Sequence, residues 1–578
     1  MKFGNVAIER RVPCVMRDGI TLYADIYTPA VPGPHPVLLM RQPYGRALAS
    51  TVSHAHPVWY ADKGYMVVIQ DVRGRGESEG WFDPFVHEAE DGFDTVKWAA
   101  RLPGSSGKVG MYGFSYQGLT QWAAASLRPP ALAAMAPSMC PADLYHGMFY
   151  PHGAFALGDH LPWAFQLARD TARRAGDDEA VMLCSRMMRQ PDNELWSLPL
   201  ARKHPVMEQY FPAYYDWLAH PSYDAYWAQR NWLPELLASP IPALQIGGWY
   251  DSFLMGTLQS YEALQELPRT RECFHRLIVG PWSHIPWGRK AGGVDHGADA
   301  MGGIHMEQVR WFDYWLKGSR DIELFEEPPV RYFERGSLSW KAAERLPALS
   351  GEKPGRLLFL SGSQEPANGA LGGGLLTASG EAILPAAPDV FVYDARLPMR
   401  SEGYLPADRS AQQDRFEILV YTGEPLKDSL SLFGVPSVEA WVQVLSGPTD
   451  LVAVLSVVEE SGAARFLSVG RTEIVQGDGG ADDGWVKAVI AMRPLAAELP
   501  AGSALRLELS GSAFPLFTRH PNGENGVRHT AGEGAMNMAS VAVSSRQDRP
   551  SWIGLPLQGG GEQQMLNWQR DVIETQFI

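Results

Sequence analysis

The residues of this chain that could do chemistry are a hydroxyl, a carboxylate and an imidazole in a fixed order: Ser115, Asp251 and His284. Ser115 stands in Gly113-Phe114-Ser115-Tyr116-Gln117-Gly118, after Lys108-Val109-Gly110-Met111-Tyr112 and before Leu119-Thr120-Gln121-Trp122-Ala123-Ala124-Ala125. A short apolar run, a glycine-flanked serine and an alanine-rich run predict a strand, a tight turn and a helix, the geometry of a nucleophile elbow. Such a turn strains the serine backbone, lifts its hydroxyl above the sheet and leaves its neighbours almost no room for side chains. With 58 glycines in 578 residues, Gly-x-Ser-x-x-Gly alone is expected by accident about 0.3 to 0.5 times, so the flanking strand and helix carry the weight. The usual elbow has its second glycine two residues after the serine, where this chain has Gln117.

A serine hydroxyl becomes nucleophilic when a histidine, of ordinary pKa about 6.5, takes its proton and a buried carboxylate fixes the imidazole tautomer. In the α/β-hydrolase arrangement these partners follow the serine, acid first, on loops at the carboxyl ends of later strands. Ile241-Pro242-Ala243-Leu244-Gln245-Ile246 leads into Gly247-Gly248-Trp249-Tyr250-Asp251, and Arg276-Leu277-Ile278-Val279 leads into Gly280-Pro281-Trp282-Ser283-His284. We expect strands followed by glycine-led loops at both places, which makes Asp251 the acid and His284 the base.

Rival chemistries are weaker. His54 and His56 alternate without an evident third ligand and are assigned to surface or packing; His296 and His305 flank Asp299 in a glycine-rich stretch with Asp295, a thin metal-ligand pattern. Asp71 also follows a strand but precedes the serine, and is expected to be a structural acid bonding its own loop. The phrase Asp71-Val72-Arg73-Gly74-Arg75-Gly76-Glu77-Ser78-Glu79-Gly80 fails as a dinucleotide fingerprint at Glu79, whose carboxylate would repel a pyrophosphate. The expected chemistry uses no metal and no organic cofactor.

These residues must be positioned by a sheet. Residues 6–16 and 21–28 are β-rich and joined through Arg17-Asp18-Gly19, which suits a hairpin; 36–40 and 65–69 are continuous apolar runs of buried parallel strands. Residues 87–101 form an amphipathic crossover helix, 131–136 a strand, and 305–316 a closing helix. Alternating strands and helices give a parallel α/β sheet. The interval 144–240 breaks the alternation, being helical and rich in tryptophan (Trp163, Trp196, Trp217, Trp227, Trp232), and is expected to be an inserted cap. From about residue 355 the texture turns to short alternating runs separated by Gly, Pro, Asp and Ser, as in an all-β sandwich or jelly roll. The expected fold class is thus α/β: an α/β-hydrolase domain (1–143 and 241–350) with an inserted helical cap (144–240) and a C-terminal all-β jelly-roll domain (351–578).

Fifty basic against 65 acidic residues give a net charge of −15, which argues against nucleic acid and anionic membrane as partners. The 4 cysteines are widely spaced and show neither a disulfide framework nor a zinc knuckle. The first eleven residues lack the apolar core of a signal peptide and no later run approaches the roughly 20 apolar residues that span a bilayer, so a cytoplasmic location is expected. The expected partner is a small-molecule ester substrate; a homodimer is left open.

Taken together, Arg17-Asp18-Gly19, Arg41-Gln42-Pro43-Tyr44, Gln70-Asp71-Val72-Arg73-Gly74, the Ser115 elbow, Gly248-Trp249-Tyr250-Asp251 and Gly280-Pro281-Trp282-Ser283-His284 resemble the cocaine esterase and X-Pro dipeptidyl-peptidase family of serine hydrolases. The resemblance runs nearly the whole chain, into Asn522 and Pro550-Ser551-Trp552-Ile553. It implies a hydrolase domain with a helical cap and a jelly roll, with Ser115 as nucleophile, Asp251 as acid and His284 as base. It also implies an oxyanion hole from the Tyr116 N–H and the Tyr44 hydroxyl, and a substrate pocket lined by Phe253, Phe149 and Trp163. The family elbow itself reads Gly-x-Ser-Tyr-x-Gly, which accounts for Gln117. With Ser252, Phe253 and Leu254 after the acid, no carboxylate cluster is evident, and an uncharged or aromatic acyl group is expected. The implied activity is carboxylic-ester hydrolysis through an acyl-enzyme. The alternatives are an amidase of X-Pro dipeptidyl-peptidase or β-lactam acylase type and, from another class, a non-catalytic carbohydrate-binding protein.

Overall fold

Strands β1 (Lys2–Phe3), β2 (Val6–Val15), β3 (Thr21–Pro29), β4 (His35–Gln42), β5 (Met66–Asp71), β6 (Ser105–Phe114), β7 (Leu132–Ser138), β8 (Ala243–Tyr250) and β9 (His275–Ser283) build one twisted sheet. The computed structural model describes residues 2–49, 53–319, 322–350, 354–363, 365–379, 387–445, 447–475, 483–523 and 528–558, so Met1 and the last part of the expected jelly-roll domain, 559–578, lie outside the described residues. Strand order is β1-β2-β3-β5-β4-β6-β7-β8-β9, antiparallel as far as β5 and parallel from β5 to β9. Every residue of β4, β5 and β8 is buried, as expected of parallel strands covered on both faces. The β2–β3 hairpin turns at Gly19 with φ 88°, as its Asp-Gly pair predicts.

Two expectations are corrected at the edges of this sheet. The segments after Ile246 and Val279 are not loops: β8 runs on to Tyr250 and β9 to Ser283, ending one residue before Asp251 and His284. Glycine there serves close approach, because a Cβ on Gly248 would lie 2.3 Å from the Trp282 carbonyl oxygen of the neighbouring strand. The helix Ile304–Leu316 does not close the domain either. Past the small hairpin β10 (Lys290–Ala291) and β11 (Val294–Asp295), and past that helix, β12 (Val330–Glu334) pairs parallel to β9, and β13 (Ser339–Ala343) pairs antiparallel to β12.

Between β7 and β8 the chain forms helices Leu157–Ala175, Asp178–Arg189, Asp192–Trp196, Pro205–Tyr210, Ala213–Ala219, Ala225–Ala228 and Leu233–Ala238. One hydrophobic cluster runs from Val37, Val68 and Met111 in the sheet through Trp122 to Phe149, Trp217 and Trp227 of this inserted layer, so the cap and the sheet share a core.

The C-terminal part is an all-β jelly roll with its own core, including Leu419, Val438, Leu455, Leu507 and Ile553. Among the described residues its strands pair antiparallel, except for Leu375–Thr377 beside Leu419–Gly423. It also grips the other two parts. Gly158 N–H donates to Pro515 O at 2.8 Å, Thr518 N–H to Phe155 O at 3.0 Å, and Tyr332 stacks on Phe433 at 4.1 Å.

The elbow helix Tyr116–Ser126 packs so tightly that a Cβ on Gly118 would sit 2.2 Å from Cys140 Sγ. Gly118→Ala should therefore cost roughly 1 to 3 kcal/mol of overpacking. Equilibrium unfolding checks this, and adding Cys140→Ala, which removes the clashing sulfur, should recover most of the loss.

Candidate active site

Ser115 follows β6 directly, with φ 55° and ψ −128°, a conformation that residues other than glycine rarely adopt. Its backbone is tied on both sides: Ser115 N–H donates to Ser138 O at 2.9 Å, and the N–H groups of Gly118 and Leu119 donate to Ser115 O at 2.8 and 3.0 Å. Gly113, at φ 140°, leaves no space for a side chain, since a Cβ there would meet Gln117 Cβ at 2.4 Å. Gln117 is part of the turn: its Oε1 accepts from Phe114 N–H at 3.2 Å, which accounts physically for a large side chain where glycine is usual.

Because β6, β8 and β9 run parallel, their carboxyl ends lie at one edge and bring the three sequence-predicted residues together. His284 Nε2 lies 3.0 Å from Ser115 Oγ, and His284 Nδ1 lies 2.7 Å from Asp251 Oδ1. The histidine side chain is 31% exposed and the aspartate 0%, so a substrate can reach the imidazole while water cannot reach the carboxylate. This hydrogen-bonded chain can move a proton from the hydroxyl to the imidazole while the carboxylate stabilises the imidazolium.

Tyr44 and Tyr116 flank the same hydroxyl. Tyr116 is the first residue of the elbow helix, so its N–H has no carbonyl of the preceding turn to bind. Its phenol is anchored away from the site, donating to Glu88 Oε1 at 2.8 Å, while Glu88 Oε2 accepts from Arg41 at 3.0 Å. Trp163 Nε1–H donates to Tyr44 Oη at 3.2 Å, which leaves the Tyr44 hydrogen free to point elsewhere, and Ser115 Oγ is its other neighbour. Burial raises the Tyr44 pKa, only partly offset by Trp163, Arg75 and Ser115, so the phenol keeps its proton at neutral pH.

The three predicted pocket aromatics fall in different places. Phe253 packs edge-on against the His284 ring at 4.9 Å. Trp163 stacks on Trp217 at 5.5 Å and donates to Tyr44, so it orients a hydroxyl. Phe149 is fully buried, 4.2 Å from the ring of His160.

Sequence reasoning missed three neighbours. Asp159, in the first turn of the cap helix Leu157–Ala175, accepts from Ser252 Oγ at 2.8 Å and acts electrostatically on both His284 and Asp251. It is one carboxyl rather than a cluster, and it comes from the cap, not from the residues after the acid. His160, neutral because burial lowers its pKa to about 4, sits between Phe149 and Phe155. Arg493, from the β domain, donates through Nη2 to the Asp251 carbonyl. The sequence carries no local signal for any of these, since each is placed by contacts across the fold.

The rivals take structural places. His296 stacks on Tyr250 at 5.5 Å while His305 faces His54 and Trp59, so the two are not brought together. Asp295 is bound by Arg289. Asp71 receives the N–H groups of Arg46 and Glu77 and the Arg46 side chain, a brace between two loops. Among the described residues, Asp450, Glu473 and His520 have ligand atoms within 4.8 Å of one another, but Arg471 and Arg528 already bind both carboxylates. No helix among the described residues is long and apolar enough to cross a membrane.

Residues 18–286 match the model of the X-Pro dipeptidyl-peptidase (S15 family), and residues 325–542 match that of the X-Pro dipeptidyl-peptidase C-terminal non-catalytic domain. Cocaine esterase from Rhodococcus sp. (strain MB1 Bresler) is 31% identical over 96% of this chain and 99% of its own length. The chain belongs to the cocaine esterase and X-Pro dipeptidyl-peptidase family. Members of this family are serine hydrolases, and the chain is an enzyme of that class. The same fold occurs in an aminopeptidase from a marine sediment archaeon, Thaumarchaeota archaeon (TM-score 0.76, 22% identity, 95% of this chain and 96% of that one). It also occurs in an α-amino acid ester hydrolase (TM-score 0.76, 21% identity, 96% and 97%).

If Tyr44 donates to a developing oxyanion, Tyr44→Phe keeps the ring and loses the donor. Acylation should then fall about 10²- to 10³-fold with little change in melting temperature. Single-turnover kinetics measures this step, and wild-type acylation would remove Tyr44 from the oxyanion site.

Proposed function

We propose that this enzyme cleaves carboxylic esters of small molecules through an acyl-enzyme on Ser115. His284 serves as general base and then acid, and Asp251 as its orienting carboxylate. The observation that carries this reading is the unbroken pair of contacts, 3.0 Å from His284 Nε2 to Ser115 Oγ and 2.7 Å from His284 Nδ1 to Asp251 Oδ1. Attack by Ser115 Oγ on the ester carbonyl forms a tetrahedral oxyanion for which the Tyr116 N–H and Tyr44 O–H are the donors. His284 then gives its proton to the leaving alcohol, and water repeats the sequence on the acyl-enzyme. Neither step asks for a metal or an organic cofactor.

An uncharged acyl group suits the surroundings. Phe253 lies against His284, Trp163 and Trp217 stack nearby, and Phe85 stacks on Tyr116 at 5.2 Å. Asp159 adds one carboxyl whose pKa burial raises, and Arg493 acts on it from nearby, so it does not amount to a free cation site. An amide is the competing substrate class, since the same residues serve both and a leaving amine asks only for firmer protonation by His284.

The test is labelling with a fluorophosphonate followed by parallel assays on an aryl ester and on Gly-Pro-anilide. Label should appear on the wild type and be absent from Ser115→Ala, whose activity should be lower by several orders of magnitude. Turnover of the ester but not the anilide supports the esterase, and faster turnover of the anilide would make it an amidase.

A further inference from the structure

Arg493 is an uneconomical residue to bury. It lies between the strands Val486–Ala491 and Leu495–Leu499 of the β domain and is 2% exposed, with its guanidinium 3.8 Å above the Tyr404 ring. Its backbone is fixed to the strand Ala464–Ile474, with Arg493 N–H donating to Val469 O at 2.9 Å and Ser468 Oγ donating to Arg493 O at 2.6 Å. Only Nη2 has hydrogen-bond partners among the described residues: the main-chain oxygens of Asp251 and, at 3.5 Å, Trp249. Nε and Nη1 are buried without any. A buried cation with most of its donors unused costs stability relative to an apolar side chain of similar volume.

Its surroundings give that cation work. Asp251 and Asp159 both act on it favourably, Tyr404 faces it, Arg335 opposes it, and His152 is held neutral by burial and by Arg493 and Arg471. Burial raises the Asp159 pKa and Asp251 pushes it the same way, while the Ser252 hydroxyl, His284 and Arg493 favour its ionised form; His284 also binds Asp251 directly. Two carboxylates beside one imidazole would compete to keep a proton in the site; a neighbouring cation removes that competition.

We infer that Arg493 is a positioning residue of the hydrolytic site, fixing the turn at 249–251 through the Asp251 carbonyl and offsetting the paired charge of Asp251 and Asp159. The β domain, whose family description is non-catalytic, thereby completes the active site of the α/β domain. The inference rests on the roles proposed for Ser115, His284 and Asp251, and Ser115→Ala is assayed alongside to separate the two.

The experiment compares the full-length wild type with Arg493→Met, Arg493→Lys and Asp159→Asn on an aryl ester across pH. R493M keeps the packing on Tyr404 and should melt no lower than the wild type. Its kcat should drop roughly 10- to 100-fold with KM little changed. The acid limb of its kcat/KM profile should move to higher pH, because the two carboxylates are left unbalanced around the imidazolium. R493K, which keeps the charge, should return the acid limb to its wild-type place. D159N removes one carboxylate and should move it the opposite way, to lower pH, and it carries the test if R493M does not fold. Wild-type kcat and an unmoved acid limb in folded R493M, or an unmoved limb in D159N, would overturn the inference. An active S115A would instead overturn the underlying assignment of the nucleophile.

Discussion

The structure depends on holding one non-glycine residue, Ser115, at φ 55°. Strain of this kind costs about 1 to 3 kcal/mol and persists only where the surroundings over-determine it. Here they do so from three sides: β7 receives the Ser115 N–H, the first turn of the elbow helix closes onto its carbonyl, and Gln117 ties the Phe114 N–H. The gain is a hydroxyl lifted off the sheet at the level where β8 and β9 deliver Asp251 and His284. Released, the same serine would lie down into the helix and lose its 3.0 Å contact with the imidazole.

Around that fixed point the site is an assembly of three parts. The sheet supplies the hydroxyl, the imidazole and the carboxylate. The cap supplies Trp163, which hands Tyr44 a hydrogen bond, and Asp159, which sits beside Ser252. The β domain supplies Arg493 and also fastens the cap through Pro515, Phe517 and Thr518, so cap, sheet and jelly roll cannot shift independently without moving catalytic groups. The tight interlock explains why a chain of this size devotes so many residues to parts that carry no nucleophile.

What was legible in the sequence was what is local or ordered along the chain. The elbow is written in six consecutive residues, and the places of Asp251 and His284 follow from strand order, because parallel strands must expose their carboxyl ends on one side. The texture of residues beyond about 355 distinguished a β domain from an α/β one. Strand ends were misjudged at Gly247-Gly248 and at Gly280 because glycine usually marks a turn, whereas here Gly248 makes room for the Trp282 carbonyl of the neighbouring strand and Gly280 for the Trp282 ring of its own. Strands β12 and β13 were missed because nothing local distinguishes a strand that joins the first sheet from one that starts the second. Asp159 and Arg493 were beyond reach for a different reason: 92 residues separate the first from Asp251 and 242 the second, and neither lies in a motif.

The central claim is that hydrolysis passes through a covalent acyl group on Ser115. Rapid mixing of the enzyme with excess p-nitrophenyl ester, quenched within the first turnover and followed by mass analysis of the peptides, measures this most directly. The account predicts a burst of one p-nitrophenol per active enzyme and an acyl mass on the peptide that carries Ser115. Steady turnover with no acylated peptide at any quench time, or an acyl group on a different side chain, would contradict it.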